Sequence, residues 1–188
     1  MKIFIPSNWC SAVTETFAEI DGLPDFSGIE PDEIDESIHQ LLASNREEVI
    51  GIVARASDDP DWDSLVAPLE EIDDRLTKAW VPISHLNAVV NTEALRAAHD
   101  GCLVALTQYS TELGQSKPLY EAYKNLRSSK SYDDELSPAQ KKVVDNALID
   151  FELSGVGLDE QNKKRFADIS ERLAVLASQF QNNVLDAS

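Results

Sequence analysis

Residues 137–188 read SPAQKKVVDNALIDFELSGVGLDEQNKKRFADISERLAVLASQFQNNVLDAS, and this stretch decides the fold. Ser137 is a good helix N-cap, Pro138 suits the first helical position, and Gln140 closes a capping box. Gly155 is placed to end this helix in a left-handed conformation. The pattern therefore predicts one helix that begins after Ser137 and stops before Gly155.

A second helix is predicted to begin near Asp159, and both helices carry an apolar stripe at helical spacing. The stripe of the first helix consists of Val144, Ala147, Leu148 and Phe151. The stripe of the second helix, in steps of three and four, consists of Phe166, Ile169, Leu173, Leu176 and Phe180, with Val184 close to the same face. Because a short loop joins the helices, we expect them to pack antiparallel with the two stripes in contact.

The chain before this hairpin also shows helical patterns. The predicted helices run from Pro31 to about Ala56, from Asp61 onward with a kink or a late start at Pro68, from Thr92 to about Gly114, and over Leu119–Leu126. Trp80 and Pro82 mark a second bend in the helix that begins at Asp61, and Ile83 to Val90 are predicted to continue it. Residues 128–135, which read SSKSYDDE, are predicted to form a polar loop. No stretch shows the sustained alternation of a strand. The predicted fold is all-α, an antiparallel helical bundle or array of about six to seven helices with a C-terminal helical hairpin.

The expected domain organisation is simple. Residues 23–188 are predicted to form a single helical domain, since no composition shift or internal repeat divides them. Residues 1–22 fit no pattern well and are predicted to be an atypical leader that is partly helical.

The net charge of −18 at pH 7 is the unusual feature of the composition. Nucleic-acid binding needs a basic surface, and anionic membranes attract basic segments, so the charge disfavours both functions. The main interpretation is a solvated acidic surface that keeps the protein in solution. Binding of basic partners and mimicry of a phosphate backbone stay open as alternatives.

A cytoplasmic location is the expectation. Cys10 and Cys102 lie far apart and belong to no metal-binding spacing, which is typical of free thiols in a reducing compartment, with a single disulfide as the alternative. The opening MKIFIPSNWC has too short an apolar run for a signal peptide, and no stretch approaches the ~20 apolar residues of a membrane span.

The histidines were natural candidates for a metal site. Glu36 and His39 form one E-x-x-H unit, which di-iron helical bundles use twice. A second unit would need a carboxylate three residues before His85 or His99, and neither histidine has one. The sequence also lacks the H-E-x-x-H motif of zinc proteases. We therefore predict no metal ligands in this chain.

Four aspartates crowd one inter-helix turn, at Asp58, Asp59, Asp61 and Asp63. Their spacing resembles a calcium loop, but the glycine at loop position six and the glutamate at position twelve are missing. The turn is interpreted as a capped and solvated connection between helices.

No residues predict catalysis. Neither cysteine has a local base, and a helical cysteine on an apolar face usually belongs to the core. Four tyrosines could line a peptide groove, although at helical spacing a tyrosine more often packs in the core with its hydroxyl at the rim. The four are Tyr109, Tyr120, Tyr123 and Tyr132. We predict no catalytic residues, and the pattern leaves the binding residues unknown.

Several longer stretches of sequence carry information that the composition does not. They are SHLNAVVNTEALRAAHD (84–100), LYEAYKNLR (119–127), SPAQKKVVDNALIDFELSGVGL (137–158), FQNNVLDA (180–187) and the opening LPDFSGIEPDEI (23–34). Together they resemble the N-terminal region of the thimet-oligopeptidase-like family of zinc metallopeptidases. The resemblance covers residues 23–188, and residues 1–22 do not resemble the usual family start.

This resemblance implies a helical region that forms one wall of a channel for short peptides. The family's zinc and its H-E-x-x-H ligands lie in a later catalytic region, so no catalytic residue carries over to this chain. The expectation is an inactive fragment or paralogue of a cytosolic oligopeptidase, which self-associates through exposed apolar helix faces. The alternative is a stand-alone acidic module that binds peptides or a partner helix.

Overall fold

The structure, a computed structural model, describes residues 19–20, 23–56 and 59–187. Within these ranges the helices are α1 (Pro31–Arg55), α2 (Ala67–Val89), α3 (Glu93–Gly114), α4 (Lys117–Arg127), α5 (Lys130–Asp134), α6 (Pro138–Leu153) and α7 (Glu160–Asp186). The strands among the described residues are two-residue segments, β1 (Glu19–Ile20) and β2 (Leu23–Pro24), which pair antiparallel. The predicted all-α array is confirmed.

Side-chain caps set the helix starts where the sequence predicts them. The Ser137 hydroxyl accepts from the backbone N–H of Gln140, and the Gln140 side chain accepts from the backbone N–H of Ser137. Asp159 accepts from the N–H of Asn162 at the start of α7, and Thr92 accepts from that of Leu95 at the start of α3. These bonds satisfy N–H groups that the first helical turn leaves unpaired.

Pro68 delays the start of α2, as one of the two alternatives predicted. Asp61 caps a π-helical turn over Trp62–Val66, and α2 begins only at Ala67, so Pro68 lies in the first turn where its missing N–H is harmless. The helix then continues through Pro82 to Val89.

Two buried clusters form the core, and α1 and α2 run through both. One cluster contains Val49, Ile52, Leu65, Val66, Ile72, Leu119, Tyr123, Leu126, Val144 and Phe151. The other contains Ile34, Ile38, Leu41, Leu42, Ala79, Ile83, Leu95, Cys102 and Tyr109. Leu113 packs against both clusters. Burial of the apolar face of α1 holds this helix against α2 and α3.

The predicted polar loop at residues 128–135 is wrong, because α5 occupies Lys130–Asp134. Ser129 caps this helix through the N–H of Tyr132, and the Tyr132 ring is buried. The Tyr132 hydroxyl donates to Asp145 at 3.1 Å, and the Arg127 guanidinium lies 4.2 Å from the centre of the ring. The packing of the Tyr132 ring thus stabilises a helix in a segment whose polar composition predicts a loop.

The predicted packing of α6 against α7 is also wrong. Helix α7 lies along α3, whereas α6 lies along α4, and the apolar stripe predicted to be buried on α7 faces outward. Leu173 is 65% exposed and Phe180 is 70% exposed. The face of α7 that contacts α3 carries small and polar side chains instead, among them the buried Ser178 and Asn182.

Several predictions fall outside the described residues. They concern residues 1–18, 21–22 and 57–58, which include Cys10 and Asp58. The single-domain prediction for residues 23–188 stays a prediction. Among the described helices, none has the length and hydropathy that a membrane span requires.

Gly155 ends α6 in a Schellman motif, and its replacement tests how much this turn contributes to the free energy of unfolding. Its φ is +84°, and a β-carbon there would lie 2.6 Å from the Leu158 side chain. We expect Gly155→Ala to lower the free energy of unfolding by about 1–2 kcal/mol, because L residues are strained in the left-handed region. Urea denaturation measures this difference.

Gly157→Ala is the matched control, since a β-carbon at Gly157 meets no atom within 4 Å. This variant should stay within about 0.5 kcal/mol of the parent chain, as surface substitutions usually do. Equal destabilisation by the two variants would contradict the role assigned to the Gly155 backbone.

Candidate functional site

An open groove runs along α3 between α2 and α7. Two clefts form it, and they meet at Trp80 and Leu103, which line both. Helix α3 supplies the floor, while α2 and α7 supply the walls, and the lining includes Leu76, Trp80, Leu103, Leu106, Phe166, Ser170 and Ala174. The lining is mainly apolar with a few polar groups, which is the usual character of a binding site.

One carboxylate on α3 holds α7 in place as the wall of the groove. Asp100 accepts from the Ser178 hydroxyl at 2.6 Å through one oxygen and from the Asn182 amide at 3.3 Å through the other. Both α7 side chains are buried, so the bonds satisfy polar groups that would otherwise be costly to bury. Asp100 therefore determines which face of α7 turns inward.

Two further polar contacts hold α7 to α3 at the surface. The Gln108 amide donates to Glu171 at 3.0 Å, and the Arg96 guanidinium contacts Asp186 at 2.7 Å. The Arg96 hydrogen bond lowers the pKa of the Asp186 carboxyl. Because these contacts are exposed, they contribute little to the free energy of folding, and their main effect is to align α7 along α3.

An aromatic stack lies beside this network. The His99 ring is buried and stacks on Trp80 with 4.9 Å between the ring centroids and 20° between the planes. Its Nδ1 lies 3.3 Å from an Asp100 oxygen. Asn87 also lines this cleft, and its buried side-chain oxygen has no hydrogen-bond partner among the described residues.

The single E-x-x-H unit does not build a metal site in the described part of the chain. His39 is exposed on α1, and its Nε2 lies 3.6 Å from Asp35. Among residues 19–20, 23–56 and 59–187, no three His, Cys, Asp or Glu side chains converge. The described residues therefore do not fit the zinc ion that the family resemblance implies, since zinc needs at least three protein ligands.

The remaining predicted candidates serve the fold. His85 contacts the Phe26 ring at 5.5 Å. Asp61 accepts from both the hydroxyl and the backbone N–H of Ser64, which lowers the pKa of its carboxyl, whereas Asp59 and Asp63 are exposed. The turn is thus a helix cap, as interpreted from the sequence.

The cysteine and the tyrosines among the described residues lie mainly in the core. Cys102 is fully buried, and burial raises the pKa of its thiol to about 11, so it is protonated at neutral pH. Tyr123 packs against Phe151 with 5.5 Å between the ring centroids, and burial raises the pKa of its hydroxyl. Tyr109 and Tyr132 are also buried. The four tyrosines are absent from the lining of the groove between α2 and α7, whereas Tyr109 and Tyr123 line a separate cleft with Leu113 and Phe151.

Sequence reasoning missed Asp100 and the two groove residues that it bonds, Ser178 and Asn182. A signal was present, since Ser170, Ala174, Ser178 and Asn182 recur every four residues along α7. This second stripe is the weaker signal, because the stripe beside it is more apolar and therefore predicts the buried face.

The sequence comparisons agree with the resemblance noted above. The profile described as "Neurolysin/Thimet oligopeptidase, N-terminal domain" matches residues 38–163. Oligopeptidase A of Haemophilus influenzae is 43% identical over 94% of this chain. Two Arabidopsis thaliana proteins are also similar over 88% of the chain, the organellar oligopeptidase A at 36% identity and the probable cytosolic oligopeptidase A at 34%.

The chain spans about a quarter of the length of these relatives. The aligned part covers 26% of the Haemophilus influenzae protein and 20% and 23% of the two Arabidopsis thaliana proteins. The activity of these relatives therefore belongs to proteins about four times as long as the region that this chain matches.

Replacing Asp100 tests its role in docking α7. We expect Asp100→Ala to lower the free energy of unfolding by about 1–3 kcal/mol, because it leaves two buried polar side chains without partners. Hydrogen exchange should also quicken in α7 more than in α1. Urea denaturation and exchange monitored by mass spectrometry measure the two effects.

Asp168→Ala is the control for Asp100→Ala. Asp168 is an exposed aspartate on α7, and it makes no hydrogen bond or ion pair within the described residues. It should leave both measurements near those of the parent chain. Exchange in α7 that is unchanged by Asp100→Ala would show that other contacts dock this helix.

Proposed function

Because the chain belongs to the neurolysin and thimet oligopeptidase family, we propose that it is the helical scaffold and channel wall of an oligopeptidase that hydrolyses short peptides. The observation that carries the proposal is the match of the family's N-terminal domain to residues 38–163. The similarity to Oligopeptidase A over 94% of the chain supports it.

We propose that residues 1–188 are themselves non-catalytic. The sequence contains no H-E-x-x-H, and the described residues offer no cluster that could hold zinc. The zinc expected of the family would then be bound by a catalytic region other than residues 1–188. When bound, zinc in such peptidases lowers the pKa of water and polarises the peptide carbonyl.

The groove along α3 is the surface that we assign to the channel wall. Its walls do not close over α3, and Trp80, Leu103 and Leu106 give it an apolar surface of the kind that peptide side chains contact. Val81 lines the same groove and is 56% exposed, so a peptide could reach it.

A stand-alone interaction module is the second candidate function. The exposed apolar residues on α7 favour it, because contiguous apolar surface of this kind commonly marks a binding interface. The coding DNA separates the two candidates: a reading frame that runs past codon 188 into H-E-x-x-H supports the scaffold, and a stop codon there supports the module.

We also propose a cytoplasmic location and self-association through exposed apolar helix faces. A relative named as cytosolic supports the location, although another is named as organellar. The net charge of −18 argues against nucleic acid and anionic membranes as partners. Ile149 and Leu153 on α6, together with the α7 stripe, are the exposed apolar residues that could mediate association.

A chimera tests the scaffold proposal. Residues 23–188 would replace the matching region of Haemophilus influenzae Oligopeptidase A, with which this chain shares 43% identity. We expect the chimera to hydrolyse short peptides, and the isolated chain to show no hydrolysis with added zinc. Turnover by the isolated chain that a chelator abolishes would contradict the non-catalytic role.

Within that chimera, Val81→Glu should raise KM for apolar peptides with little change in kcat, because it removes binding that substrate and transition state share. Ile50→Glu is the control, since Ile50 is 70% exposed on α1 and does not line the groove. Equal KM values for the two variants would show that the peptide binds outside this groove.

A further inference from the structure

The cleft that Tyr109 and Tyr123 line adjoins the groove along α3. It shares Asp73, Ser110 and Ser154 with one of the two clefts that form the groove. Its own volume is about 290 Å³. The groove and this cleft therefore form one longer depression beside α2, which we call the trough.

Three carboxylates line the added cleft, and no lysine or arginine of the described part of the chain lines it with them. The three are Glu70, Asp73 and Asp150, and we call this part of the trough the acidic cleft. None of them makes an ion pair within residues 19–20, 23–56 and 59–187. The acidic cleft thus carries negative charge that these residues leave uncompensated.

The arginines close to the acidic cleft are already paired. The Arg46 guanidinium lies 5.3 Å from the centre of the Tyr109 ring, and it is ion-paired with Glu112 at 2.7 Å. Arg75 is ion-paired with Glu48 at 2.9 Å. A cation that neutralises the acidic cleft must therefore come from another source.

The other walls of the acidic cleft suit the stem of a basic side chain. They are apolar and aromatic, and include Leu69, Leu113, Ala147, Tyr123 and Phe151. Lysine and arginine carry long apolar stems, and their charged ends are attracted to aromatic faces. Because small-molecule sites usually occupy ~300–1,000 Å³, the volume of this cleft fits one side chain better than a whole ligand.

Polar atoms without partners lie along the same trough. Three buried side-chain atoms lack a hydrogen bond within the described residues, and two of them belong to trough residues, Tyr109 and Asn87. Tyr109 is 5% exposed and Asn87 is 6% exposed. The third belongs to Asn45, whose side chain lies near the Tyr109 hydroxyl without a hydrogen bond of good geometry. Since the Tyr109 hydroxyl and the Asn87 oxygen can both accept, the trough suits a ligand rich in N–H donors.

We propose that the trough binds an extended peptide whose lysine or arginine side chain enters the acidic cleft. The inference rests on the proposed function, because it takes the groove along α3 as the surface that contacts peptides. It adds a preference for basic peptides, which the apolar groove alone does not predict. Helix α2 rises about 21 Å between Asp73 and Asn87, so the trough matches roughly six residues of extended peptide.

Charge complementarity selects this occupant. A neutral or acidic side chain would leave three carboxylates uncompensated, whereas a lysine or arginine side chain brings the missing cation. The α-amino group of a peptide brings a cation too, but it lacks the long stem that the apolar walls would cover. The basic side chain satisfies both the charge and the walls.

Overall charge alone would produce a different pattern. The net charge of −18 attracts any cationic peptide, wherever its basic residue lies. The acidic cleft is reached from only one position along a peptide that is held in the groove. The position of the basic residue therefore separates binding in the cleft from general attraction.

The chimera described above tests the proposal with blocked peptides of about eight residues. Each peptide is acetylated and amidated, so that a single lysine, placed at a different position in each, carries the only charge. Norleucine replaces that lysine in the matched neutral peptide. We expect KM to be roughly tenfold lower for lysine than for norleucine at one position and similar for the two elsewhere, and arginine to behave as lysine does.

Neutralising the carboxylates tests which residues are responsible. The combined variant Glu70→Gln, Asp73→Asn and Asp150→Asn should raise KM for the preferred lysine peptide about tenfold more than KM for its norleucine match. Glu71→Gln is the matched control, since Glu71 is an exposed glutamate on α2 that does not line the trough. It should leave both KM values unchanged.

The outcomes separate this inference from the function on which it rests. A chimera that hydrolyses no peptide overturns the proposed function and this inference with it. A chimera that hydrolyses the norleucine peptides without preferring lysine at any position overturns the inference alone. A preference that is equal at every position, or that the combined variant leaves intact, overturns the acidic cleft as its cause.

Discussion

The Asp100 carboxylate decides how α7, the last helix of the described chain, is arranged. It bonds Ser178 and Asn182, which lie one helical turn apart on α7, and so a single acidic group selects the inward face of a 27-residue helix. Had the more apolar face turned inward, two polar side chains would face solvent and Asp100 would lose both partners. The observed arrangement satisfies the buried polar groups and leaves the more apolar face of α7 outside.

The helix starts could be predicted from the sequence because each depends on local chemistry. Ser137 with Gln140, Asp159 with Asn162, and Thr92 with Leu95 lie three residues apart, so the side chain and the N–H that it accepts belong to the same short segment. The same holds for Gly155, whose positive φ follows from the turn in which it lies. No distant contact is needed to read these signals.

The packing of α7 and the helix α5 could not be predicted, since both depend on distant residues. Asp100 lies 78 residues before Ser178, and Tyr132 is anchored by Asp145 on another helix. Periodicity identifies the most apolar face of a helix but does not identify what that face contacts. For the same reason the groove residues escaped prediction, whereas the interpretation of Cys102 as a core residue needed only its position on an apolar face.

The outer apolar stripe of α7 and the groove along α3 share two side chains. Phe166 and Phe180 are the first and last residues of the stripe that the sequence predicts to be buried, and each also lines one of the two clefts along α3. These two rings therefore lie at the edge between the outer face of α7 and the face that contacts α3. The bonds from Asp100 to Ser178 and Asn182 fix the rotation of α7, and this rotation sets how far each ring reaches into the groove. The same polar contacts that leave the apolar stripe outside thus also shape the α7 wall of the groove.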